Sequence, residues 1–147
     1  MLVQSIKEIV SQFVGQGLKW EFNYGKEHWQ NLQDLPDDSL LLFADRVKYL
    51  MLLWKDRGFK LNSEGAIQGY TFDGEMVLLV RSKISDPTFD YKYETHIKNL
   101  EAETERLFNG FSDCDGWTIK NWKEIEVENE FDTNMDGLKI RFSFELE

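Results

Sequence analysis

Residues 117–147, WTIKNWKEIEVENEFDTNMDGLKIRFSFELE, decide the fold of this chain. Ile125, Val127 and Phe131 alternate with acidic residues, and apolar and polar residues alternate again from Leu138 to Leu146. A period of two places one row of side chains on each face of a strand. Two such runs joined by a polar, glycine-ended loop predict a β-hairpin with one apolar face and one charged face.

Composition limits the classes of protein that fit. The 147 residues, 41% of them hydrophobic and 14% aromatic, suit a single domain over residues 1–147 with an ordinary core. A net charge of −10 disfavours tight binding of nucleic acid. The lone Cys114 excludes an intramolecular disulfide and fits a small, half-buried thiol in a reducing compartment. We expect no signal peptide and no membrane span, because charged residues interrupt every apolar window.

The amino-terminal half predicts a helix and several strands. Residues 2–14 have the apolar spacing of an amphipathic helix that ends near Gly15 or Gly17. Residues 20–24 alternate as a short strand that Gly25 ends, and the apolar residues 40–43 predict a buried strand. Residues 47–54 fit either a strand or a short helix, and the charged residues 55–65 predict mainly a loop.

The middle of the chain predicts a hairpin and a long helix. Asp73-Gly74 between two apolar runs is a strong hairpin signal. The continuous apolar run 76–80 predicts a central strand that is covered on both faces. Residues 89–108 have helical spacing, and Asn109-Gly110 is a plausible end of that helix.

The order of these elements predicts the fold class. A helix, several strands, a long helix and a closing hairpin form an α+β domain with a mostly antiparallel sheet. We expect both helices to cover the same face of that sheet.

The string Asp132-Thr133-Asn134-Met135-Asp136-Gly137 matches the first positions of a calcium-binding EF-hand loop. That loop requires a glutamate at its twelfth position, where this chain has Ser143, and helices where this chain predicts strands. Asp, Asn and Gly also favour turns for their backbone angles alone. We therefore predict a turn and no metal site, with a calcium-binding module kept as a minor alternative.

The acidic row of the hairpin is the candidate functional surface: Glu124, Glu126, Glu128 and Glu130. Carboxylates in one row repel each other unless cations oppose them. The next strand carries Lys139 and Arg141, and two registers place them opposite Glu130 and Glu128, or place Arg141 opposite Asp132. Both registers leave Glu124 and Glu126 unpaired. The row is either a solvated face or a surface for a basic partner or a repelled polyanion.

Few of the side chains that usually carry catalysis lie in a recognisable motif, so we predict neither an enzyme nor a cofactor. His28 and His96 lie in different elements without zinc-ligand spacing, and His96 is expected at the surface or its boundary. No phosphate loop or nucleophile elbow is present, which leaves a carboxylate-based hydrolase as a minor alternative. Trp117 and Trp122 have opposite parity, so we expect one of them outside the core.

The layout resembles the tail-completion or tail-terminator proteins of bacteriophage necks, which join head and tail. The opening helix, the Tyr24-Gly25 and Trp29–Leu32 segments, the long helix 89–108 and the final run 128–146 carry the resemblance. It implies a structural virion protein, assembled in the host cytoplasm, that forms a ring with six as the expected number of copies. Its partners are other copies, other neck or tail proteins, and DNA that passes through without tight binding. The alternative is a cytosolic acidic adaptor or immunity-type protein that binds a basic partner.

Overall fold

The computed structural model describes residues 1–25, 37–82, 93–127 and 135–147. These residues form two α-helices and five strands in the order α1 (Leu2–Gly15), β1 (Trp20–Tyr24), β2 (Lys48–Leu61), β3 (Ile67–Arg81), α2 (Lys98–Ser112), β4 (Trp117–Val127) and β5 (Met135–Leu146). A short 3-10 helix, Phe43–Asp45, precedes β2, and a π-helical turn, Tyr93–Ile97, leads into α2. The predicted α+β fold class is confirmed.

The five strands form one sheet in the order β1-β2-β3-β5-β4. β1 runs parallel to β2, and every other neighbouring pair is antiparallel. The closing hairpin of the sequence is therefore β4–β5, as predicted. A second, longer hairpin is formed by β2 and β3, whose turn is held by Asn62: its Oδ1 accepts hydrogen bonds from the backbone N–H of Glu64 and of Ala66.

Both helices pack on one face of the sheet, which we call the helix-bearing face. The amphipathic pattern of α1 buries Leu2, Ile6, Ile9, Val10 and Phe13 there, and α2 contributes Leu100, Thr104, Leu107 and Phe111. Opposite them lie the inward side chains of the strands, among them Leu50, Leu78, Ile140, Phe142 and Phe144. This main core confirms the expectation that the two helices share one face.

The other face, the open face, has a second and smaller core at one end. Tyr49, Met51, Leu53, Val77, Leu79 and Met135 are buried there. Residues 76–80 therefore have no exposed surface on either face, which confirms the prediction of a doubly covered central strand. The sequence predicts that only one face of the sheet is buried. This prediction fails at the end that carries the smaller core, where both faces are buried, and holds at the other end.

Tyr49, in the smaller core, makes stability depend on pH in alkali. Burial, followed by the negative charge of Asp38, raises the pKa of its phenol to about 12 from 10.0. The contribution of Tyr49 to the free energy of unfolding is fully present below pH 10. It is lost as the pH rises from 10 through 12, because in that range the phenol ionises readily only in the unfolded chain. We expect Tyr49→Phe to flatten this decline, as measured by urea unfolding across that range. Equal slopes in wild type and Tyr49→Phe would contradict the prediction, and Tyr24→Phe, at an exposed tyrosine, is the matched control.

The apolar residues 40–43 are not the buried strand that the sequence predicts. Leu40, Leu41 and Leu42 are 82%, 49% and 78% exposed, and the 3-10 helix begins at Phe43. Residues 47–54, which fit strand or helix equally, lie almost entirely in β2. β2 continues to Leu61, so most of the predicted loop 55–65 is strand, and only its end is a turn.

Asp73-Gly74 is not a turn, although it is a strong hairpin signal. β3 runs straight through both residues, and they pair with Asp56 and Lys55 of β2. A Cβ atom at residue 74 would lie 2.3 Å from the carbonyl oxygen of Trp54. Glycine is therefore required here by the close approach of β2, and not by a turn.

The end of α2 also differs from the prediction. The helix passes through Asn109 and Gly110 and ends at Ser112. A Cβ atom at residue 110 would lie 2.9 Å from Cγ2 of Ile9, so Gly110 marks the contact between the two helices. The predicted beginning of this helix, at Phe89, lies outside the described residues.

Candidate functional site

Glu124 and Glu126, the described half of the acidic row, lie on a different face from the one that the sequence predicts. In the β4–β5 register, Glu124 pairs with Ile140 and Glu126 pairs with Leu138. Paired residues of neighbouring strands share a face, so both glutamates lie on the helix-bearing face, at its margin. Both are exposed. Glu128 and Glu130 lie outside the described residues.

The cations of β5 lie on the open face, away from the two glutamates. Arg141 pairs with Lys123 of β4 and with Glu75 of β3, and its Nε lies 3.0 Å from Oε1 of Glu75. Lys139 pairs with Ile125 and Val77. Both predicted registers of Lys139 and Arg141 are therefore wrong, because the residues of β4 that pair with them are Ile125 and Lys123.

A β-bulge in β4 explains the error. The register shifts between Ile119 and Asn121, so Lys120 is an extra residue with no Cα partner in the β5 register, although its Nζ lies 3.7 Å from Oε2 of Glu145. Before the bulge, Trp117 and Ile119 point to the helix-bearing face, and after it Trp122 points there as well. Both tryptophans pack against the main core, which corrects the expectation that one of them lies outside it. Sequence parity cannot reveal such a bulge.

Trp122 also fixes the position of Glu124. Its ring lies against Phe108 of α2, at 5.4 Å between centroids, and its Nε1 donates a hydrogen bond of 2.9 Å to Oε1 of Glu124. The indole is held by the core on one side, so this carboxylate is held at the edge of the sheet.

Both sides of the sheet carry strand edges that are unpaired in the described part of the chain: the outer edges of β1 and β4, and the part of β2 beyond β1. β4 is the last strand of the sheet, so its outer edge pairs with no described strand. β1 pairs with β2 only from Lys48 to Leu52, so the same edge of β2 is uncovered beyond that point. Unpaired strand edges present N–H and C=O groups that another strand can use.

The part of β2 that β1 leaves unpaired belongs to an arm, residues 54–70, of the β2–β3 hairpin. Phe59, Leu61 and Ile67 are more than half exposed there. The guanidinium of Arg57 lies 5.4 Å from the centroid of Phe59 and 5.3 Å from that of Tyr70. The prediction of a loop over residues 55–65 does not anticipate this arm, although the alternation of Lys55, Arg57 and Phe59 with Asp56 and Gly58 is a signal for a strand.

Ion pairs stabilise the open face of the arm. Lys60 donates hydrogen bonds to Glu147 and Glu145 at the end of β5. These hydrogen bonds raise the pKa of the Lys60 ammonium above its ordinary value and lower the pKa of the Glu147 carboxyl. The end of the chain is thereby joined to the arm.

A buried polar contact joins the segment before β2 to the π-helical turn before α2. His96 is 2% exposed, so its predicted place at the surface or its boundary is wrong. Arg46 Nη1 lies 2.9 Å from His96 Nδ1, and since a guanidinium can only donate, Nδ1 accepts. The Nε of Arg46 donates to the carbonyl of Leu41. The contact ties the segment before β2 to the start of α2.

Lys48 is the other buried cation near this contact. Its Nζ donates a hydrogen bond of 2.7 Å to the carbonyl of Phe43 and lies 4.4 Å from the centroid of that ring. Burial lowers the pKa of its ammonium, while the carboxylate of Glu103 acts in the opposite direction. The carbonyl and the ring replace part of the water that the ammonium loses.

The described residues contain no group of three or more side chains that could hold a metal ion. Of the calcium-like string, Met135, Asp136 and Gly137 are buried in β5, while residues 132–134 lie outside the described residues. Cys114 is half-buried, its Sγ lies 3.1 Å from the carbonyl oxygen of Gly110, and burial raises the pKa of its thiol. A raised thiol pKa makes Cys114 a poor nucleophile.

The sequence matches no family model and no curated protein. Neither of the described helices is both long enough and apolar enough to cross a bilayer.

Proposed function

We propose that this protein is a structural subunit of a bacteriophage neck or tail, a tail terminator or head–tail joining protein that assembles into a ring. The observation that carries the proposal is the pair of unpaired strand edges, on β2 and on β4, in the described part of one sheet. Edges at opposite sides of a subunit suit head-to-tail contacts, and such contacts form a ring when the rotation between copies closes.

The order of elements gives further support. The opening helix, the sheet, the helix before the last two strands and the closing hairpin are the features on which the resemblance to tail terminators rests. The protein then acts through its surfaces, without chemistry, and its place is the virion.

The net charge fits the passage of DNA through such a ring. Each copy carries −10, so six copies carry −60. A ring with this charge repels the phosphate backbone, so DNA moves through it without adhering. Other neck or tail proteins would cover the two ends of the ring.

Light scattering of the purified chain, coupled to size-exclusion chromatography, tests the proposal. We expect a concentration-dependent species of several copies, visible as rings by negative-stain electron microscopy. A monomer at every concentration, which also fails to join purified neck components, would contradict the proposal.

The second candidate is an acidic adaptor or immunity-type protein, because Glu124 and Glu126 are exposed at one edge. It predicts a stable one-to-one complex with a basic protein and no ring. The same scattering measurement, made with basic candidates present, separates the two functions.

A further inference from the structure

The edge of the β2 arm and the outer edge of β4, which no described strand covers, have complementary charges on the same face of the sheet. On the helix-bearing face, β4 presents Glu124 and Glu126 after its bulge. On the same face, the arm of β2 presents Lys55 and Arg57, since they pair with Gly74 and Phe72 of β3. In both strands the two charges are two residues apart, so both pairs of opposite charges can meet in one register.

The two edges also match in direction, and β4 is long enough for the β2 segment. β2 is regular from Trp54 to Lys60, between two register shifts, and β4 is regular from Asn121 to Val127. Each residue of the β2 segment therefore has a described residue of β4 to face. β2 and β4 run in opposite directions in the sheet, so copies with the same orientation bring them together as antiparallel strands.

We infer that β4 of one copy pairs antiparallel with the β2 arm of the next copy, with Glu124 opposite Arg57 and Glu126 opposite Lys55. This inference rests on the proposed ring function and names its subunit contact. The register places Trp122 opposite Phe59 on the same face, an aromatic pair of the kind that stabilises neighbouring strands.

The same register covers exposed apolar side chains on the open face. In this register Trp54 of one copy lies opposite Val127 of the other copy and diagonally across from its Ile125. The alternation of side chains along a strand places these three residues on the open face. Trp54, Phe59 and Ile125 are 41%, 54% and 46% exposed in the single copy. Burial of all three by one contact favours a second copy of this chain as the occupant of both edges.

The stagger between copies agrees with a closed ring. Within one copy, Lys55 lies at the same level across the sheet as Trp122, because Lys55 pairs with Gly74, Gly74 with Phe142, and Phe142 with Trp122. In the inferred register Trp122 meets Phe59 of the next copy, which is a shift of four residues, or roughly 13 Å. Spread over β2, β3, β5 and β4, the shift corresponds to a strand tilt of about 35°, which is typical of closed sheets.

A charge swap tests the contact. We expect Glu124→Lys with Glu126→Lys to weaken assembly by at least about tenfold, because both edges of that variant are then basic. Lys55→Glu with Arg57→Glu makes both edges acidic, and we expect the same loss. An equimolar mixture should assemble again, with the two variants alternating, because each edge then meets one of opposite charge.

Light scattering on each variant and on the mixture gives the result. Circular dichroism checks that each variant folds. If wild type forms a ring and both variants do so equally well, the inferred edge contact is overturned and the proposed function survives. If the variants fail and the mixture does not recover, the contact is overturned as well.

Cysteine cross-linking tests the register and does not depend on a stable ring. In a Cys114→Ser background, we expect Arg57→Cys with Glu124→Cys to form an intermolecular disulfide under mild oxidation. The control pair, Arg57→Cys with Ile119→Cys, would meet only if the copies joined without a stagger. Cross-linking of the control alone, or of neither pair, overturns the inference. If the first pair forms the disulfide although the chain is monomeric before oxidation, the result supports the contact and argues against the ring.

Discussion

Replacing Phe144 with Ala is expected to lower the free energy of unfolding by about 3–5 kcal/mol. Phe144 is 1% exposed, and its ring lies between the rings of Phe142 and Phe111, with centroids 4.6 and 4.7 Å away. Trp117 and Trp122 of β4 lie at 6.0 and 6.2 Å. Truncation would leave a cavity among four aromatic rings that rigid strands and α2 hold in place, so the site cannot collapse to fill it.

Urea unfolding followed by tryptophan fluorescence measures this loss. The control is Leu40→Ala, which removes an apolar side chain that is 82% exposed and should change stability by less than about 0.5 kcal/mol. A loss below about 1 kcal/mol at Phe144 would show that the aromatic cluster does not hold α2 against the closing hairpin.

Replacing Gly137 with Ala should destabilise the protein by about 3 kcal/mol, although it adds only one methyl group. A Cβ atom at residue 137 would lie 1.9 Å from the carbonyl oxygen of Leu78 and 3.0 Å from the Cα of Leu79. Both are backbone atoms of the central strand β3, so no side-chain rotation can relieve the contact. The hydrogen bonds between β3 and β5 must shift instead.

Thermal unfolding of Gly137→Ala gives the measurement, with Gly15→Ala as the control. Gly15 is the last residue of α1, and a Cβ there meets nothing within 4 Å, so alanine should be neutral or slightly stabilising. An unchanged melting temperature for Gly137→Ala would mean that β3 and β5 lie farther apart than the structure places them.

The elements with strong periodicity were predictable. The apolar spacing of α1, the alternation of β1 and of β5, and the apolar run 76–80 each match the structure. In each case the pattern reports which side chains are buried, and burial is what the sheet and the helices require. The fold class followed from the order of these elements.

The errors arose where a local signal met a tertiary constraint. Asp73-Gly74 has the composition of a turn, but the approach of Trp54 in β2 requires the glycine. Leu40, Leu41 and Leu42 have the composition of a buried strand, but the sheet has no place for it, and they remain exposed. His96 is polar, yet Arg46 provides a donor that allows it to be buried.

Only part of the candidate site could be predicted from the sequence. The exposure of Glu124 and Glu126 could be predicted from their alternation with Ile125 and Val127. The face on which they lie could not, because it depends on the bulge. The basic edge of the arm was missed because Lys55 and Arg57 lie in a stretch whose charge suggests a loop.

The bulge at Lys120 has a consequence for the charge of this edge. If Lys120 were paired in a regular ladder, every later residue of β4 would move by one position, so that Glu124 and Glu126 shared the open face with Lys139 and Arg141. The hairpin would then neutralise its own carboxylates. The bulge thus decides whether the charge of this edge is satisfied within the molecule or left for a neighbour.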